Sequence, residues 1–195
     1  MKSEIELVIS ERISKNGIIS FSEYMDILLF HNSYGYYNTR DIFGRKGDFI
    51  TSPITSSLFG ASIANEFINL RNYITEPEIL EVGAGDGSLV ISIMEHLSKK
   101  KSLPKNFYII ETSEKLIESQ KINIMKKIPE LSNIVKWVKC EEITGINGLI
   151  VCNEFFDVLP TERFKIVNDK FFQLFVDYQS GFIMQWVDKT KKFRN

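Results

Sequence analysis

Residues 79–90, ILEVGAGDGSLV, place Gly83, Gly85 and Gly87 on a two-residue beat directly behind an apolar run, with Glu81 and Asp86 beside them. A strand, a glycine-rich turn and a helix in succession form the nucleotide-binding corner of doubly wound folds, where the ligand sits beyond the carboxyl end of the strand. A tight turn with no ligand is the bland alternative, and three glycines weaken it. The dinucleotide pattern G-x-G-x-x-G needs its third glycine at position 88, which is Ser88. A pyrophosphate is drawn to a helix N-terminus, yet the carboxylates of Glu81 and Asp86 would repel it there. S-adenosyl-L-methionine carries no phosphate, and its sulfonium and ammonium make it net cationic, so the same carboxylates attract it. The residues therefore favour a sulfonium cofactor over a nicotinamide.

Two further groups could complete a site. Glu111 closes the second apolar run, and a carboxylate at that strand end can accept hydrogen bonds from both ribose hydroxyls of an adenosine. Its bland role is a charge at the start of a helix capped by Thr112 or Ser113. The run GLIVCNEFFDVLP delivers Asn153, Glu154 and Asp157 to the ligand crevice, and Pro160 stops any regular continuation. Two carboxylates three residues apart on a short turn suit a cation such as a guanidinium, held by charge-assisted hydrogen bonds. Positioning that cation and polarising its nitrogen toward a methyl carbon would be catalysis by orientation and electrostatics. Helix capping by Asn153 with solvated acids is the alternative, and Phe155 and Phe156 read as core. His31 at a helix end reads as a capping or packing residue, His96 as surface, and Cys152 as a small apolar residue.

The elements that must position these groups follow from periodicity. Ser3 with Glu6 and Ser20 with Glu23 have capping-box spacing, so each opens a helix. The first presents Ile5, Val8, Ile9 and Ile13 on one face and ends near Gly17; the second presents Phe21, Tyr24, Met25, Leu28 and Leu29. Residues 32–53 have neither period and predict an extended loop, a length uncommon unless it serves as a lid or binding segment. A third helix carries Phe59, Ile63, Phe67 and Leu70 along one side. From Glu78 onward short apolar runs, ILEV, FYII (107–110), IVKWV (134–138) and GLIVCN (148–153), alternate with helical stretches 87–98 and 113–128. The second of these stretches carries Ile117, Ile124, Met125 and Ile128. Such alternation predicts an α/β fold with a mostly parallel, doubly wound sheet. After Pro160, RFKIV, KFFQLFV and FIMQWV predict an antiparallel hairpin or meander. The expected organisation is an N-terminal helical cap and loop (1–72), a cofactor-binding core (73–160) and a hairpin extension (161–195).

Composition narrows the class. The 195 residues suit one domain, and 24 Lys+Arg against 25 Asp+Glu leave a net charge of −1. No basic stripe would steer the chain to nucleic acid or an anionic membrane. The two cysteines, Cys140 and Cys152, with two histidines, support neither a zinc cluster nor a disulfide framework, so no metal is expected. The acidic N-terminus, MKSEIELVISERI, suits neither a secretory signal nor a transit peptide, and no apolar run reaches the roughly 20 residues of a membrane span. The expectation is a soluble, cytoplasmic protein.

Taken in order, FSEYMDILLFHNSYGYY, GRKGDFITSPITSSLFG, ILEVGAGDGSLV, YIIETSEKL and NEFFDVLPTERF resemble the MidA-like family of class I S-adenosylmethionine-dependent methyltransferases. The resemblance covers about residues 18–165 and implies a Rossmann-like methyltransferase fold. It also implies protein arginine methylation, which mitochondrial relatives carry out on a respiratory complex I subunit during assembly. Carried over position by position, Gly83, Gly85 and Gly87 resemble the cofactor loop and Glu111 the ribose acid. Asn153 with Glu154 resembles the catalytic-face motif, and GDFITSP, with Gly47, Asp48, Thr51 and Pro53, a loop folding over the cofactor pocket. Family members usually continue well beyond this point, so the chain reads as an N-terminal half. The fourth strand would then lie at a sheet edge, and a separate chain carrying the second half, or a second copy in a homodimer, is the expected partner beside the protein substrate.

Overall fold

The computed structural model describes residues 2–39 and 56–193. Contacts gather the chain into two units, Met1–Arg40 with Asp157–Asn195, and Asp41–Phe156. The two ends of the chain fall in one unit because they share a sheet.

The central unit is the α/β core. Helix α4 (Ser57–Leu70) leads to strand β2 (Glu78–Val82), helix α5 (Ser88–Lys99), strand β3 (Phe107–Ile110), helix α6 (Glu114–Lys127), strand β4 (Val135–Trp137) and strand β5 (Gly148–Val151). All four strands are parallel, in the order β4-β3-β2-β5, with Glu81 level with both Ile109 and Val151. The strands fall where the short apolar runs predict them; β2 and β3 have no exposed residue and so no solvent side to alternate toward, whereas β5 leaves Ile150 exposed. Ile79, Phe107 and Ile109 of the sheet are fully buried against Val90, Ile93, Met94 and Leu97 of α5 and Ile124 of α6.

Two helical faces differ in part from expectation. On α4 the expected Phe67 is fully buried and the expected Phe59 and Ile63 pack against the same core, but the most buried stripe runs through Gly60 and Ala64 beside them. A Cβ on Gly60 would lie 2.7 Å from Ser92 Cβ, so the missing side chain lets α5 come close. On α6 Met125 is 59 % exposed, and the polar Gln120 lies buried between Leu116 and Ile124.

The second unit joins both ends of the chain. Helix α1 (Glu4–Asn16), strand β1 (Ile19–Ser20), helix α2 (Phe21–Phe30) and the short helix α3 (Tyr36–Thr39) come from the N-terminal part. The C-terminal part gives the antiparallel strands β6 (Phe164–Val167), β7 (Lys170–Tyr178) and β8 (Phe182–Asp188), then helix α7 (Thr190–Phe193). Ser3 and Ser20 cap α1 and α2 by accepting from the backbone N–H of Glu6 and Glu23. Glu6 itself accepts from the Tyr178 hydroxyl, and Glu23 from Arg12 at 2.6 Å. The predicted meander is present, and Asn168 and Asp169, both at positive φ, close its first turn in the manner of a two-residue hairpin. Sequence reading missed β1, which pairs Ile19 with Val176 of β7 and buries both beside Ile9 and Ile13. A two-residue strand carries no periodicity from which to read it.

Of the loop expected over residues 32–53, only 32–39 lies within the described residues, and it ends in α3. No helix among the described residues is long and apolar enough to cross a membrane.

Candidate functional site

The order β4-β3-β2-β5 reverses direction at β2: β3 and β4 build out on one side of it and β5 returns to the other. Open α/β sheets bind ligands at such a switch point, beyond the carboxyl ends of the strands. The glycine turn lies there. Gly83, Gly85 and Gly87 have φ of 72°, 56° and 83°, a region in which a side chain is strained, so the expected glycines are demanded by the backbone. A Cβ on Gly83 would also approach the Phe155 ring to 2.8 Å, and this contact gives Phe155 a place over the turn that a core assignment did not foresee. Its neighbour Phe156, also expected as core, is 69 % exposed.

The two acids of the motif do different things. Asp86 accepts from both the backbone N–H and the hydroxyl of Ser88 at 2.9 Å, and so satisfies the first N–H of α5 from just before its N-cap residue Gly87. Glu81 is 2 % exposed, and its Oε2 is buried without a hydrogen-bond partner. Burial, reinforced by the nearby Asp86 charge, pushes its carboxyl up to about 8. An orphaned buried carboxyl oxygen at the end of a central strand is costly in the folded protein and fits a cationic group arriving from the ligand side.

Glu111 ends β3 one strand away. Its Oε1 accepts from the backbone N–H groups of Thr112 and Ser113 at 2.8 and 3.0 Å, and its Oε2 faces the Gln120 amide at 3.4 Å. Burial raises its carboxyl above the usual carboxylate range, opposed by those three donors. The helix-start role foreseen for it is therefore present in one oxygen, while the other turns toward the glycine turn.

Sequence reasoning missed the groups of α6 that underlie this corner. Gln120 Nε2 donates to the Gly85 carbonyl at 2.9 Å, and its Oε1 accepts from Trp137 Nε1 at 2.7 Å. Asn123 Nδ2 donates to the Asp86 carbonyl at 2.9 Å. The available signal was Gln120 itself, a polar residue four positions from both Leu116 and Ile124 on an otherwise apolar stripe.

Register brings the β5 motif to the same end of the sheet. Val151 lies level with Glu81, so Asn153 and Glu154 follow immediately beyond the strand ends. Glu154 is exposed and has φ of 48°, an uncommon backbone state for a non-glycine residue. Asp157, also exposed, sits in the 3-10 turn Phe156–Val158 and opens the other unit of the chain. Asp48 and Thr51, expected over the cofactor, lie outside the described residues. His31 Nδ1 accepts from the backbone N–H of Ser33 and Tyr34 in a turn, and His96 pairs with Asn65. Among the described residues no group of three or more His, Cys, Asp or Glu side chains could hold a metal ion.

Fold and corner together define a Rossmann-like protein with a glycine turn at the switch point of its sheet. Residues 58–195, more than half of the chain, match the family described as "Putative S-adenosyl-L-methionine-dependent methyltransferase". The chain belongs to that family, whose cofactor is S-adenosyl-L-methionine. The human "Protein arginine methyltransferase NDUFAF7, mitochondrial" is 31 % identical over 190 residues, covering 85 % of this chain and 43 % of the human protein. The Drosophila melanogaster homolog is 27 % identical over 191 residues, covering 87 % of this chain and 44 % of its own length. The chain thus spans less than half the length of these relatives. A crystal structure of a Burkholderia thailandensis protein bound to S-adenosyl-homocysteine shares the fold, with TM-score 0.83 and 23 % identity over 95 % of this chain and 49 % of that one. A native crystal structure from the same organism gives TM-score 0.79 and 24 % identity over 95 % and 47 %.

Proposed function

We propose that this chain binds S-adenosyl-L-methionine at the Gly83–Gly87 turn and contributes that site to the N-methylation of a protein arginine. The observation that carries the reading is the orphaned Glu81 Oε2 at the end of β2, behind three glycines at positive φ. A carboxyl group there fits an ammonium and disfavours a phosphate. In this reading Glu81 accepts from the ammonium of the methionine part, and the glycines allow close approach of the backbone. Glu111 offers its remaining lone pairs to the ribose hydroxyls. When bound, the cofactor supplies an electrophilic methyl group.

Asn153 and Glu154 are the proposed groups on the acceptor side. A Glu154 carboxylate can hold a guanidinium by charge-assisted hydrogen bonds, restrict its rotation and favour the proton loss that accompanies methyl transfer. Asp157 is the second acid of that motif, and Asp48 and Thr51 belong to the proposed cover of the cofactor. The names of the human and fly relatives support arginine as the acceptor. The family resemblance supports a respiratory complex I subunit as the protein that carries it.

Calorimetry with S-adenosyl-homocysteine tests the binding step. Wild-type protein is expected to give a saturable heat, and Gly85→Val to lose on the order of tenfold or more in affinity because a branched side chain is strained at φ 56°. Absence of a saturable heat in folded wild-type protein removes the proposal. Saturable binding without methyl transfer to any arginine-bearing protein, in the presence of the remaining sheet strands, would reduce the chain to a cofactor-binding module.

A further inference from the structure

The buried side chain of Gln120 makes three hydrogen bonds, and none of these partners belongs to α6. Its residue is fully buried, and its amide reaches three separate elements: Gly85 in the turn after β2, Glu111 at the end of β3 and Trp137 at the end of β4. The amide orientation is fixed by chemistry. An indole N–H can only donate and a carbonyl can only accept, so Trp137 takes the oxygen side and Gly85 the nitrogen side.

This arrangement has a consequence for the turn. The C=O of Gly85 and the N–H of Asp86 share one planar peptide unit and point in opposite directions. With the carbonyl drawn onto Gln120, the Asp86 N–H is directed away from α6. Asn123 holds the next carbonyl, that of Asp86, in the same way, and the Gly87 N–H closes back on Ala84 at 2.9 Å. At the same time the Gln120 Nε2 faces Glu111 Oε2, the oxygen left over from the helix-start bonds. One amide therefore bonds both the carbonyl behind the glycine turn and the strand-end carboxylate, which Thr112 and Ser113 hold from its other oxygen.

We propose that Gln120 is the positioning residue of the adenosine site: its amide, locked by the Trp137 indole, fixes the spacing between the glycine turn and the Glu111 carboxylate. The inference rests on the cofactor-binding reading above. Gln120 acts through Gly85 and Glu111 and needs no contact with the ligand itself. The indole makes the arrangement observable, because the chain has two tryptophans and Trp186→Phe leaves Trp137 as the sole indole.

The test uses the full chain in the Trp186→Phe background, with S-adenosyl-homocysteine and adenosine as probes in calorimetry and Trp137 emission as the second readout. Gln120→Met keeps the volume and removes all three hydrogen bonds, and on the order of a tenfold or larger loss is expected for both probes, by the same factor. The Trp137 emission change on saturation should vanish with it. Trp137→Phe, which removes only the N–H donor, guards against a Gln120 variant that fails to fold; it should weaken both probes several-fold. Unchanged affinity of folded Gln120→Met, with only a lower melting temperature, would overturn the positioning role and leave the site intact. A loss for S-adenosyl-homocysteine but not for adenosine would overturn it also, since it would move the effect to the amino-acid end of the ligand. A background protein that binds neither probe overturns both the site and the role of Gln120.

Discussion

Glu81 is the residue at which folding stability and the proposed ligand recognition would meet. Its carboxyl is buried with one oxygen unpartnered, and its folded value near 8 stands above the ordinary 4.5. The folded state therefore holds a proton that the unfolded chain has already released over that interval, and stability falls as pH rises from about 4.5 to about 8. Glu81→Gln mimics the protonated form. Its melting temperature should match wild type at the acid end and exceed it at the alkaline end; parallel curves would show that the residue is not proton-linked. The ligand should reverse the preference, because an ammonium favours the carboxylate. Affinity for S-adenosyl-homocysteine is expected to rise with pH toward about 8 in wild type and stay flat in Glu81→Gln. At this scale the sequence supplied the residue types and their spacing. It could not separate Glu81 from Asp86, because one is buried and orphaned while the other, five positions on, is bonded by Ser88 at the start of a helix.

Among the elements, the contact of α4 with α5 controls how closely the central unit packs. Gly60 faces Ser92, whose hydroxyl donates to the Ser57 carbonyl at 3.1 Å, so the two helices meet through a glycine and a shared hydrogen bond. Gly60→Ala gains helix propensity but inserts a methyl group where there is no room, and overpacking of this kind costs about 1–3 kcal/mol. Chemical denaturation should show the variant destabilised; a stabilised Gly60→Ala would mean that α4 can move off α5 at no cost. The caps of α1, α2 and α6 and the existence of α5 were legible in the sequence, since they depend on residues within a turn of each other. The Gly60 and Ala64 stripe of α4 and the exposure of Met125 were not, because each depends on what a distant helix or strand presents.

For the whole molecule, the consequential element is β5. Among the described residues it pairs with β2 alone and forms an edge of the parallel sheet, and Ile150 on it is 58 % exposed. An apolar side chain on an edge strand promotes association with other chains. Ile150→Lys should lower the apparent mass in concentrated light scattering while leaving the S-adenosyl-homocysteine affinity unchanged; identical scattering for the two proteins would remove β5 as the sticky edge. What the sequence determined by itself is the succession of elements, the capped helix starts and the glycine corner, because each is a local property of backbone conformation and side-chain period. Only the tertiary structure decided that β5 returns to the far side of β2, that β1 joins β7 across the two ends of the chain, and that Gln120 reaches 35 residues back to hold the glycine turn. Those outcomes turn on which distant groups share a buried space, where an unmet hydrogen bond is costly and a met one fixes geometry.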